Sequence, residues 1–239
     1  MGMKKFWEDF KEMQQIPRIE IDLMKEKAKA NDPFFLKATQ DFYEYATRRH
    51  PKMPLVRFLE YGVAVYEMPK THEEWMKNIE ASARRNVKKG IKKGYTVERI
   101  NFNDHLEDIG EIHASAEVRQ GKMSEEFLSG KVDPISDPES KTNVHDYPYF
   151  GVMKDGKVYA YAGCLVAGEM FLASTIFGHD KYKSDGLVPL LFSGMAAYML
   201  ENYPEVKYYV YDKYYGASEN LRRFKRKFLF LPYHVTWRF

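Results

Sequence analysis

The chain of 239 residues has a single cysteine, which excludes an internal disulfide framework and a zinc site built on cysteines. That cysteine, Cys164, lies in the apolar run "YAGCLVAG" and reads as a small buried hydrophobe. Long hydrophobic runs are also missing. The longest charge-free apolar stretch, "VPLLFSGMAAYML" at 188–200, is too short to span a bilayer. The start, "MGMKKFWEDFKEM", has basic residues but no apolar segment of signal-peptide length. A soluble, cytoplasmic protein without membrane insertion is expected. Histidine ligand pairs are absent too: positions 50, 72, 105, 113, 145, 179 and 234 give none at i+2 or i+4. With no H-E-x-x-H, G-x-S-x-G, Walker A or Rossmann glycine pattern, no metal is expected.

Net charge is small, 37 Lys/Arg against 34 Asp/Glu, less of an excess than a general nucleic-acid binder carries. Its distribution is uneven. Residues 101–150 hold eleven acids and four Lys/Arg, a net of −7, whereas 83–94 carries +6 and 222–227 carries +5. Such segregation points to a local anion site. In "ARRNVKKGIKKG" (83–94), at about 100° per residue, the six cations fall on one half of a helix and Ala83, Val87, Gly90 and Ile91 on the other. Two readings stay open for it, a solvated face over a core and a site for an anionic ligand.

Helical spacing marks 3–15 (Phe6, Phe10, Met13) and 33–49 (Phe35, Phe42, Tyr45, Ala46), the second ended by "HPKMP". "LVRFLEYGVAVYEM" (55–68) reads as one or two strands. Thr71 and Glu74 form a capping box that opens a helix through Trp75 and Ile79 into the basic stretch, closed by Gly94. A strand at 95–100 follows. A second capping box, Asp104 to Glu107, then opens a helix with Leu106, Ile109, Ile112 and Ala116 inward, and a short helix covers 124–129. Residues 131–148 are rich in turn formers and have no periodicity, which makes them a functional or a disordered loop. "KDGK" is a type I′ hairpin signal between two strands, and a third strand follows. A helix at 187–201, a strand at 206–211, a basic helix at 217–227 and a final strand complete the order β-α-α-β-β-β-α-β-α-β from residue 95.

That order resembles the GNAT acyltransferase fold. "NLRRFKRKFLFLPYHV" (220–235) is similar to the ending of the FemAB-like branch, and "ARRNVKKGIKKGYTV" resembles that branch's helix leading into its first strand. The resemblance covers 71–239. It implies an α/β (α+β) fold, a mixed, mainly antiparallel sheet flanked by helices, as an acyltransferase domain at 71–239. Residues 1–70 form a mostly helical N-terminal extension with one or two strands. Covering a sheet edge and mediating dimerisation are the roles open to it, and a homo-oligomer is compatible with the second.

The resemblance also implies sites. "KSDGLV" (183–188) is the nearest fit to the turn that binds the pyrophosphate of CoA, which puts Ile176, Phe177, Gly178, Lys183, Gly186 and Leu187 at an acyl-CoA co-substrate. Val188 stands where a small residue is usual, and Pro189 removes an N–H. The superfamily's tyrosine acid is replaced by Lys225, implied to steady negative charge during acyl transfer. Tyr211, Asp212, Tyr214 and Tyr215, just past the fifth strand, are candidates for a proton relay; core packing is the other reading of these aromatics and the favoured one for Tyr211. Arg84, Arg85 and Asn86 match the branch's motif and, with Arg119 and Lys122 in "EVRQGKM", are the expected substrate contacts. The first expectation is transfer of an acyl group, acetyl in the simplest case, from acyl-CoA to an amine-bearing, anionic small molecule. The alternatives are FemAB-like transfer from aminoacyl-tRNA to a peptidoglycan precursor and a non-catalytic module that binds polyanions.

Overall fold

A computed structural model of the chain describes residues 15–29, 32–51, 53–119 and 121–239. The helix expected over 3–15 lies outside these residues apart from its last position. The strands are β1 (Arg18–Asp22), β2 (Arg49–His50), β3 (Met53–Arg57), β4 (Tyr61–Glu67), β5 (Thr96–Ile100), β6 (His145–Asp146), β7 (Tyr149–Lys154), β8 (Lys157–Ala167), β9 (Met170–Gly178), β10 (Tyr208–Lys213) and β11 (Leu231–Arg238). The helices are α1 (Lys25–Lys29), α2 (Pro33–Thr47), α3 (His72–Asn78), α4 (Ala81–Lys92), α5 (Leu106–Ala114), α6 (Glu125–Leu128), α7 (Leu187–Asn202) and α8 (Glu219–Lys227).

One large sheet runs β1-β11-β4-β10-β9-β8-β7-β5, with β6 paired to β8 and the hairpin β2-β3 apart from it. Its ladders are antiparallel except β1 with β11 and β9 with β10. On one face Trp75, Ile79, Val87, Leu191, Phe192 and Phe228, from the segment 72–92, α7 and the end of α8, pack on Phe150, Ala162, Phe171 and Tyr209. On the other face Phe42 and Ala46 of α2 lie with Val63, Val65, Leu165 and Trp237. Ile109 and Ile112 of α5 join Ile100, Val158 and Tyr161 on that side. The fold is thus the expected mixed, mainly antiparallel sheet between helices.

Local chemistry explains several boundaries. Asp155 (φ 50°) and Gly156 (φ 77°) make the two-residue turn between β7 and β8, both in the left-handed region that a type I′ turn demands. Thr71 caps α3 by accepting from the Glu74 N–H at 3.1 Å, while the Glu74 carboxylate accepts from the Lys70 N–H at 3.1 Å. The helix expected to run on to Gly94 instead breaks at Ile79–Glu80, where the backbone turns extended and buries Ile79. The second expected capping box is replaced by a 3-10 turn at Phe102–His105, capped by the Asn101 side chain, and Ala116 lies beyond α5. The loop 131–148 is pinned down. Asp32 accepts from the Ser140 hydroxyl (2.9 Å) and the Lys141 N–H (2.7 Å), and His145 Nε2 lies 2.9 Å from the Leu23 carbonyl.

The strand at 61–67 sits between β10 and β11, so segments on both sides of residue 70 share one sheet, and β1 adds an edge beyond β11. A chain beginning at residue 71 would leave the facing edges of β10 and β11 unpaired. It should give no cooperative unfolding transition by circular dichroism and should aggregate, whereas a monomeric, cooperatively melting product would show that β4 is dispensable.

Candidate active site

β9 and β10 pair in parallel only from Met170–Leu172 to Tyr208–Val210. Each strand then departs from regular pairing. The register of β9 on β8 slips at Ser174, between Ala173 and Thr175. That of β10 on β4 slips between Val210 and Lys213, with Asp212 at φ 47°. Bulges of this kind bend a strand and leave polar groups of the backbone without ladder partners. Here side chains take them up. The Ser174 hydroxyl donates to the Gly163 carbonyl at 2.8 Å and lies 2.8 Å from the Tyr147 hydroxyl.

The bulge in β10 is held by Lys225. Ser218 starts α8 by accepting from the Leu221 N–H, and Arg222 and Lys225 then face inward, three residues apart. Lys225 is fully buried, not solvated; its ammonium donates to the carbonyls of Tyr211 (2.7 Å) and Lys213 and lies 4.6 Å from the centre of the Tyr211 ring. Burial pushes it down to about 8, and nearby Asp212 works in the opposite direction. Asp212 itself is exposed. Tyr211 packs against Phe192, Phe224 and Phe230, and burial followed by Asp212 raises its hydroxyl to about 12. Tyr214 and Tyr215 are buried, and the guanidinium of Arg222 lies 5.9 Å and 5.6 Å from the centres of their rings. The Tyr214 N–H donates to the Gly62 carbonyl at 2.7 Å, its hydroxyl accepts from Arg226 at 3.4 Å, and Tyr215 packs against Gly62 so closely that a Cβ there would overlap its ring. Of the four expected catalytic residues, the charge-steadying Lys225 and the relay candidate Asp212 interact with each other.

After β9 a 3-10 turn at Asp180–Asp185 leads to Gly186, left-handed at φ 86°, and then α7. α4 lies directly on this turn. A Cβ at Gly186 would overlap the Asn86 carbonyl oxygen, and one at Gly90 would come within 2.9 Å of Leu190. Lys89 donates to the Ser184 carbonyl at 2.6 Å. Asp185 takes an ion pair from Lys93 and a hydrogen bond from the Tyr95 hydroxyl (3.2 Å), and the Lys93 hydrogen bond holds its carboxyl below the usual range. Lys183 is exposed and pairs with Asp180 at 3.0 Å. Gly178, Lys183, Gly186 and Leu187 thus follow one another along the strand, turn and helix. Ile176 packs on the α7 face near Val188, whereas Phe177 packs on the opposite face with His113 and Phe127.

The remaining expected contacts are dispersed. Arg84 donates to the carbonyls of Met76 (3.3 Å), Lys77 (2.7 Å) and Ile79, closing the end of α3. Arg85 and Asn86 are exposed. Arg119 donates to the Gly178 carbonyl (2.8 Å), the Ile112 carbonyl (2.6 Å) and the Ser115 hydroxyl (3.1 Å), tying α5 to the end of β9, while Lys122 is exposed. Beside it, His113 Nε2 lies 2.6 Å from the Tyr161 hydroxyl, and burial, then Arg119, pushes the imidazole down to about 4. Asp185 and Tyr95 have no signature in the sequence, because only packing of α4 on the turn brings them together. Among the described residues no group of His, Cys, Asp and Glu could hold a metal ion, and no helix is long and apolar enough to cross a membrane.

No protein-family model matches the chain, and no curated protein matches its sequence. Solved structures do. FemX is 12% identical with a TM-score of 0.55, over 72% of this chain and 59% of its own. L-PGS from Bacillus licheniformis is 14% identical, TM-score 0.45, over 72% and 57%. A GCN5-related N-acetyltransferase from Kribbella flavida is 12% identical, TM-score 0.35, over 69% and 52%. The chain spans less than three fifths of the length of each of these structures. The fold is GNAT-like, of the form that FemX displays.

Lys225 ties its protonation to stability. Its folded pKa of about 8 lies below the ordinary 10.5, so between those values the unfolded chain binds more protons and stability rises with pH. The burial penalty is present in full below pH 8. In denaturant titrations the wild type should gain about 2–3 kcal/mol relative to Lys225→Met between pH 8 and 10.5. Parallel pH profiles for the two proteins would refute the depressed value.

Proposed function

We propose that the protein is an N-acyltransferase that moves an acyl group from an acyl-CoA thioester to an amine, with the reacting carbonyl in the opening between β9 and β10. The observation that carries this reading is the buried Lys225 ammonium fixed at the bulge where the parallel ladder ends. An ammonium has three N–H donors, and two of them go to Tyr211 and Lys213. The third is left to stabilise the oxyanion that forms when the amine attacks the thioester carbonyl. A fixed cation in a water-poor site acts most strongly at that stage. As the C–N bond forms and the C–S bond breaks, the amine must lose a proton and the thiolate must gain one. Asp212, an exposed carboxylate at the lip of the same bulge, is the group that accepts the proton from the amine. Gly186 and the start of α7 supply backbone N–H groups and the positive helix end for a pyrophosphate.

A second reading, transfer from an aminoacyl-tRNA as the FemAB-like resemblance implies, is favoured by two observations. Asp185 puts a carboxylate in the turn where a pyrophosphate would sit. Arg85, Lys88 and Lys92 form an exposed row on α4, and among the described residues none of them pairs with an acid.

Two measurements separate the readings. Acetyl-CoA at millimolar concentration should raise the melting midpoint, since it binds only the folded chain. No rise with acetyl-CoA, longer acyl-CoAs or CoA would overturn the thioester donor, and a charged-tRNA assay would then decide the second reading. With the donor in hand, Lys225→Met should lower kcat about 100-fold to 1,000-fold, and Lys225→Arg far less. As Lys225 loses its proton above about pH 8, the wild-type rate should decline there. That decline should move upward in Lys225→Arg. Unchanged turnover in Lys225→Met would leave Lys225 as a brace for the bulge alone.

A further inference from the structure

Beside the candidate site two cations share one aromatic ring. The guanidinium of Arg48 lies 4.2 Å and the ammonium of Lys213 lies 2.9 Å from the centre of the Phe58 ring. The arrangement is fixed by backbone bonds. The Phe58 N–H donates to the Arg48 carbonyl (2.8 Å) and the Leu59 N–H to the Ala46 carbonyl (2.9 Å), which fastens the 58–59 turn to the end of α2. Lys213 enters from the end of β10, where it pairs with Val63 of β4 beyond the bulge. Its own carbonyl accepts from Lys225, so Lys213 links the ammonium of the candidate site, through its backbone, to this ring, through its side chain.

Two like charges at one ring repel, and the repulsion is felt at Lys213. Burial chiefly pushes the Lys213 ammonium down, Asp212 works against that, and Arg48 adds to it. Asp212 is the acid that faces the group, and Tyr45 and His50 pack on the same ring, with Arg48 also over Tyr45 at 4.6 Å. No carboxylate of the described residues lies at ion-pair distance from either cation. Arg48 is exposed, Lys213 half-buried, and the faces of the rings anchor them without neutralising them.

We propose that Arg48 and Lys213, steadied by Phe58, form a receptor for an oxyanion, a phosphate or a carboxylate, carried by the amine substrate. The proposal rests on the acyl-transfer reading for its identification with the acceptor. The two cations stand on the α2 face of the sheet, opposite α4 and α7, where the donor's pyrophosphate is assigned. An anionic group bound there would hold its amine at the end of β10, next to Asp212. It would also relieve the repulsion between the cations. Arg binds such groups through a planar fork and Lys as a point charge, and together they suit an oxyanion with more than one acceptor oxygen.

The test is direct binding, by calorimetry, of inorganic phosphate and separately of acetate, which distinguishes the two kinds of anion. The wild type should bind at least one of them. Arg48→Gln and Lys213→Gln should each weaken that binding about tenfold or more, Arg48→Lys should weaken it less, and Lys157→Gln, at the start of β8, should leave it unchanged. Arg48 is exposed, so Arg48→Gln keeps the fold and decides the matter if Lys213→Gln does not fold. Failure of both anions to bind the wild type at 10 mM (on the order of a weak single-anion affinity), or equal binding by Arg48→Gln, would overturn the receptor. Because the measurement needs no donor, the two ideas fail separately. Arg48-dependent binding without any CoA effect or turnover would sink acyl transfer and keep the receptor. Lys225-dependent turnover with anion binding indifferent to Arg48 would do the reverse.

Discussion

The parallel ladder between β9 and β10 lasts three residue pairs, and most of what is distinctive in this molecule follows from its ending there. A parallel strand pair buried under helices would ordinarily continue, because unpaired backbone groups away from water are costly. Here each strand bulges at once, and the loosened groups are taken by side chains, Ser174 on one side and Lys225 on the other. A buried lysine costs several kcal/mol of desolvation unless its donors are satisfied. Two carbonyls and an aromatic face provide that satisfaction.

The segment before residue 70 is part of this construction. β4 lies in the interior of the sheet, between β10 and β11, and Gly62 makes room for Tyr215 while its carbonyl receives the Tyr214 N–H. The bulge of β10 is defined against β4, so the position of Lys225 depends on a strand far away in sequence. The same segment brings Arg48 and Phe58 to the end of β10.

The basic helix α4 has divided duties. Arg84 closes α3, Lys89 and Lys93 bind the turn before α7, and Arg85, Lys88 and Lys92 remain on the surface. Neither reading of "ARRNVKKGIKKG" covers all six. Half of the cations stabilise carbonyls and a carboxylate of the chain itself, and the other half form a solvated row. Arg119 is similar, its guanidinium engaged by the backbone at the end of β9.

Much of the fold was legible in local signals: the "KDGK" hairpin, the Thr71 cap, Gly94 at the end of α4, the long apolar α7 and the order of elements from residue 95. The break at Ile79 was not, because Ile79 turns inward to fill the core, a demand of packing that helix periodicity does not contain. At the candidate site, the sequence pointed to Lys225, Gly186 and Lys183 through the resemblance to the GNAT fold, and to Asp212 through its place just past the fifth strand. It could not distinguish Arg84 and Arg119, which bind backbone, from Arg85, which faces solvent, since all three are the same residue type in basic or polar surroundings. The pairings of Asp185 with Lys93, of Lys225 with two carbonyls and of Arg48 with Lys213 join residues remote along the chain. Propensity, periodicity and capping act within a few residues, so the sequence by itself determined the elements. Which charges are buried, paired or left open was decided only when β4 entered the sheet and α4 settled on the turn, because burial and Coulomb interaction depend on distances in space.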